Sequence, residues 1–98
     1  MWHDSPMLYP AEKSNELIDV INEMIESGVN DLAIARVRRE ALRLEKAGRF
    51  VDAKQLLGML ATLQGDVNAV EVCFDAAVTA SGNDPLVMTN YAVSLANL

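Results

Sequence analysis

Residues Gly48–Leu98 read GRFVDAKQLLGMLATLQGDVNAVEVCFDAAVTASGNDPLVMTNYAVSLANL, and three of their glycines, Gly48, Gly65 and Gly82, stand at equal intervals of 17 residues. Each glycine closes one apolar, helix-periodic segment and opens the next. That interval is too long for a strand hairpin and suits one helix with its turn, so two intervals make a helix-turn-helix unit of 34 residues. The spacing predicts a helix from Phe50 or Val51 to Gln64, with Ala53, Leu56, Leu57 and Leu60 inward and Leu63 at its end. A second runs from Val67 to Ala80, with Val70, Cys73, Phe74 and Ala77 inward. Ser81-Gly82-Asn83-Asp84-Pro85 is then a stop followed by a start: glycine ends a helix, Asp84 can cap, and Pro85 suits the next first turn. The last helix runs from Pro85 to Leu98, with Met88, Tyr91, Ala92 and Leu95 as its main face.

Upstream, the same periodicity predicts two more helices. Ala11–Ser27 carries Leu17, Ile21 and Met24, flanked by Ile18 and Ile25, opposite an acidic stripe of Glu12, Glu16, Asp19, Glu23 and Glu26. The next begins near Val29, with Asn30 or Asp31 as its cap, and ends at Ala47. It buries Ile34, Val37, Ala41 and Leu44 and shows a basic stripe of Arg36, Arg39, Arg43 and Lys46. Residues 1–10 contain two prolines, a serine and an aspartate and read as an irregular arm, loosely held, from which Trp2 and Tyr9 can fold back as a lid.

Composition bounds the function. Ninety-eight residues allow one small domain, and 51% hydrophobic residues with 5% aromatics suit close helix packing. Cys73 is the lone cysteine, so no internal disulfide is available, and a reducing, cytoplasmic setting is expected. Met1–Pro10 lacks the pattern of a signal peptide, and no apolar run approaches a membrane span. A net charge of −6 argues against nucleic acid and anionic membranes as partners. The charge is uneven, because all eight Lys and Arg residues precede Gln55, whereas Asp66, Glu71, Asp75 and Asp84 are the only charges after Gly65.

Gly48-Arg49-Phe50-Val51-Asp52-Ala53 resembles the turn and helix start of a tetratricopeptide repeat. Leu57-Gly58, Gln64-Gly65-Asp66, Phe74 and Ala77 are similar to the body of such a repeat, and Asn90-Tyr91-Ala92 through Leu95 and Leu98 to the first helix of another. Val70 stands where that family usually has alanine, and the large aromatic of the first helix is missing. The resemblance implies an all-α fold, a right-handed α-solenoid of about five antiparallel helices over residues 11–98, and recognition of a peptide or helix along a groove. In one phase the groove maps to Gln55, Leu56, Met59, Thr62 and Leu63 with Thr89, Asn90, Val93 and Asn97. In the other, the helices on either side of it line the groove and bring the basic stripe closer.

No catalytic constellation is present: there is no glycine-rich phosphate cradle, no paired Cys or His, and no nucleophile beside a base. No enzyme activity, cofactor or metal is expected. His3 reads as a solvated residue rather than a metal ligand, and Cys73 as a buried small hydrophobe. The expected function is a protein-interaction or assembly module; a small dedicated chaperone of the secretion-system type, or an inhibitor acting by stoichiometric complex formation, is the alternative. The basic patch Arg36, Arg39, Arg43 and Lys46 reads either as an anion grip or as a solvated face neutralised by neighbouring acids. The final helix is apolar around much of its circumference, so a homo-oligomer, a partner, or repeats beyond Leu98 are expected to cover it.

Overall fold

The computed structural model describes residues 6–10 and 15–98. They form five helices, α1 (Glu16–Ser27), α2 (Asp31–Lys46), α3 (Phe50–Leu63), α4 (Val67–Ser81) and α5 (Pro85–Asn97), with no strand among the described residues. Every expected helix is present, each with ends within a residue or two of those read from the periodicity, except the start of α1. Positions 11–14, where that helix was expected to begin, lie outside the described residues, as do Trp2 and His3.

The glycine punctuation has a uniform backbone cause. At each of the three turns the residue after the glycine donates its N–H to a carbonyl five residues back: Arg49 to Leu44 at 2.8 Å, Asp66 to Ala61 at 3.0 Å and Asn83 to Val78 at 3.0 Å. That closure requires a left-handed residue in between, and Gly48, Gly65 and Gly82 supply it at φ of +83°, +69° and +68°. The third turn is longer. Asn83 is also left-handed, at φ +65°, and the cap passes to Asp84, whose carboxylate accepts from the Leu86 N–H at 2.9 Å.

α3 is the hub, packing against α1, α2, α4 and α5. It can do so because it is apolar on several faces, burying Ala53 and Leu56 as well as the run from Gly58 to Thr62. Gly58 is the point of closest approach to α4, since a Cβ there would lie 2.5 Å from the Phe74 ring. Phe74 stacks in turn on Tyr91 of α5, with ring centroids 5.2 Å apart. One continuous core runs from Tyr9, Ile18, Ile21 and Met24 through Ile34, Val37 and Ala41 to Met59, Leu60, Phe74 and Val93.

Two expectations are corrected here. The arm is not loosely held where it is described: Tyr9 is 2% exposed and belongs to the core. α5 is also turned relative to the face read from its sequence. It buries Val87, Asn90, Val93 and Ser94, leaving Met88, Ala92 and Leu95 exposed and Tyr91 half-buried. Large apolar residues lie all round this helix, so periodicity did not select a face. The buried face contains two polar side chains because both find partners inside the protein.

Candidate functional site

The most specific constellation of polar contacts surrounds residues 7–9. Asn97, at the end of α5, holds the Met7 backbone from both sides: the Met7 N–H donates to Asn97 Oδ1 at 2.9 Å, and Asn97 Nδ2 donates to the Met7 carbonyl at 2.8 Å. Asn22, in the middle of α1, does the same to Tyr9, with both hydrogen bonds at 2.9 Å. A side-chain amide presents one donor and one acceptor in a plane, so it can pair with a peptide unit as a neighbouring strand would. Residues two apart are thus gripped by different helices, Met7 by α5 and Tyr9 by α1.

Between these clamps the Tyr9 side chain fills a socket. Its hydroxyl hydrogen-bonds the Ser94 hydroxyl of α5, and Ser94 is fully buried. Burial pushes the Tyr9 phenol above its ordinary pKa, with the hydrogen bonds to Ser94 and Thr62 opposing that rise in part, so the ring sits in the socket as the neutral phenol. Met7 and Leu8 stay largely exposed. The contact therefore consists of backbone pairing plus one anchored aromatic, the division of labour used to bind a short extended peptide.

The groove residues expected from the first phase fall into three groups. Asn97 meets residues 6–10 as described above, while Thr62 is buried and donates its hydroxyl to the Gly58 carbonyl at 2.9 Å. Leu56, Met59 and Val93 are buried in the core, and Ile18 of α1 joins Leu56, Met59, Gln55 and Asn90 around a small cavity. Leu56, Met59 and Val93 therefore present no open surface. Leu63 is half-buried and packs on the core, while Thr89 is exposed. Gln55 accepts from Asn90 Nδ2 at 2.7 Å, and Asn90 Oδ1 is buried with no partner among the described residues. An orphaned acceptor of that kind costs about 1–3 kcal/mol until a donor reaches it.

The basic stripe borders a separate open cleft of about 580 Å³ between α2, the start of α1 and the start of α3. Arg36, Arg39 and Arg43 line it and Arg49 joins them, whereas Lys46 borders a shallower depression with Leu42. Carboxylates interleave with these cations. Arg36 pairs with Glu16 of α1 at 3.0 Å, Arg43 with Glu40 at 2.9 Å, and Arg49 Nε with Asp52 at 2.7 Å. All are surface pairs, and the cleft is of mixed sign rather than a positive field. Cys73 is half-buried, and burial is the main cause raising its thiol pKa, the opposite of what activates a thiol. Among the described residues, no group of three or more His, Cys, Asp or Glu side chains could hold a metal, and no helix is long and apolar enough to cross a membrane.

Asn22 and Ser94 were not among the site residues expected from sequence. A polar residue on an otherwise apolar helical face was the available signal, since Asn22 shares a face with Ile18 and Ile25, and Ser94 with Val87 and Tyr91. No family model matches the chain, and no characterised protein or solved structure is similar to it.

Proposed function

We propose that this chain is a protein-interaction module of tetratricopeptide-like construction. It binds a short extended peptide between α1 and α5, over α3, with residues 6–10 as the resident occupant. The observation that carries the reading is the double amide clamp: Asn97 on the Met7 backbone and Asn22 on the Tyr9 backbone, around a tyrosine socket closed by Ser94. Backbone clamps accept any sequence, and the socket selects a tyrosine. A phenylalanine fits the same volume but leaves the buried Ser94 hydroxyl without its partner, which should weaken binding by about 5–30-fold. The 34-residue recurrence and the uniform glycine turns support a solenoid in which this groove is the recognition face.

The tethered occupant competes with any incoming peptide at an effective concentration of order millimolar. The test follows from that competition. A fluorescently labelled peptide carrying Pro6–Pro10 is titrated against the wild-type chain and against Tyr9→Ala. Binding at least 10-fold tighter to the variant is expected from the vacated socket, and it should be lost again when Asn97→Leu is added. Equal or absent binding in all three proteins would remove the reading.

A further inference from the structure

We infer that the small cavity where α1, α3 and α5 meet is a binding site for one ordered water, held by Asn90 and bridging the three helices. The site uses none of the side chains that hold Met7 and Tyr9. Its origin is a polar residue at a core position. By the 34-residue register Asn90 of α5 stands where α3 carries Leu56, and both positions are buried. Gln55 takes up the Asn90 Nδ2 at 2.7 Å, but Asn90 is 2% exposed and its Oδ1 has no partner among the described residues. Around that acceptor stand Asn15, the cap of α1, with Asp52 and Gln55 of α3, and Ile18 and Leu56 complete the wall. The cavity leaves about 10 Å³ for the centre of a water-sized sphere, which is room for a single water.

The ends of these side chains that are already committed choose the occupant. Asn15 Oδ1 accepts from the Leu17 N–H at 3.1 Å, Gln55 Oε1 from Asn90 Nδ2 at 2.7 Å, and Asp52 Oδ2 from Arg49 Nε at 2.7 Å. The ends that remain are two acceptors, Asn90 Oδ1 and Asp52 Oδ1, and two donors, the amide nitrogens of Asn15 and Gln55. A water has two O–H donors and two lone pairs, so it is the complement of that set, and three partners are usual for a buried water. A metal cation of similar size needs oxygen on several sides and would face the two amide N–H groups instead. Apolar cavities stay empty, but an empty cavity here leaves the buried Asn90 Oδ1 desolvated. The water donates to Asn90 Oδ1 and to Asp52 and accepts from the amide of Gln55 or Asn15. It thereby fastens the capped end of α1 to α3 and α5.

A high-resolution crystal structure of the full chain tests the site. One peak is expected at about 2.7–3.0 Å from Asn90 Oδ1 and from at least one polar atom of Asp52, Gln55 or Asn15. In solution, the Ile18 and Leu56 methyl protons should show cross-peaks to water of opposite sign in NOE and ROE spectra, the mark of a water that tumbles with the protein. Asn90→Leu, of similar volume but without the acceptor, should abolish both signals while the circular dichroism spectrum stays helical. The two wild-type signals decide by themselves should that variant fail to fold. An empty cavity overturns the proposal, as does an Asn90 amide turned so that Oδ1 accepts from a protein N–H. A peak ringed by six or more oxygens at about 2.4 Å would be a cation and overturns it equally.

Discussion

Tyr9 shows how a single side chain ties the start of the chain to its last helix. Its hydroxyl meets Ser94, 85 residues away, and both groups are buried. Tyr9→Phe should cost about 1–2 kcal/mol, because Ser94 then loses its buried partner, and Tyr9→Ala about 3–5 kcal/mol through the cavity. Urea unfolding of the two variants separates these terms. Tyr9 also gives a signed pH dependence. Its folded pKa lies above the ordinary value of 10.0, so above that pH the unfolded chain releases the phenolic proton first. The stability due to the buried neutral phenol is complete below the unfolded pKa and is lost as pH rises through the folded one. Wild type should therefore lose more stability than Tyr9→Phe does as the pH rises above the ordinary value of 10.0, measured by urea midpoints. A second residue-scale case is Gly58. Alanine there favours the helix by about 1 kcal/mol but overpacks against Phe74 by about 1–3 kcal/mol. A net loss is expected, recovered in part when Phe74→Leu is added.

At the scale of elements, the turns were the most legible part of the sequence. Gly48, Gly65 and Gly82 announce left-handed residues, and the same hydrogen-bond closure follows at each. Gly65→Ala should cost about 1–2 kcal/mol for forcing a Cβ into that conformation, readable as a drop in thermal midpoint. The faces of α1, α2 and α4 were legible as well, because each carries apolar and polar residues on different sides, whereas α3, apolar on several faces, also buries Gly58, Met59, Ala61 and Thr62 and leaves Leu57 half-buried. α5 was not. Its apolar residues surround it, and what turned it was the pairing of Asn90 with Gln55 and of Ser94 with Tyr9. Contacts between residues 35 to 85 positions apart leave no periodic trace. The basic stripe of α2 is the converse case, plain in sequence but offset in space by Glu16 at Arg36 and Glu40 at Arg43. A double-mutant cycle on Arg36 and Glu16 should return less than about 1 kcal/mol, falling further in added salt.

For the molecule as a whole, Leu56, Met59 and Val93, expected to line an open groove on α3 and α5, are buried. α1 packs on α3, and residues 6–10 are bonded to α5 through Asn97 and Ser94. Sequence reasoning offered Tyr9 as a lid but not its partners, because prolines in residues 1–10 signal the absence of a helix and say nothing about a segment docked by its backbone. The most direct measurement locks that occupant in place. Met7→Cys and Leu98→Cys, two exposed positions that leave the Asn97 and Asn22 clamps intact, in a Cys73→Ser background with Tyr9→Ala to loosen the socket, are joined by a flexible thiol-reactive bridge. The labelled Pro6–Pro10 peptide is then titrated before and after bridging. The proposed groove requires binding before bridging and its loss afterwards, with helical content unchanged; binding that survives the bridge would place peptide recognition elsewhere and contradict it.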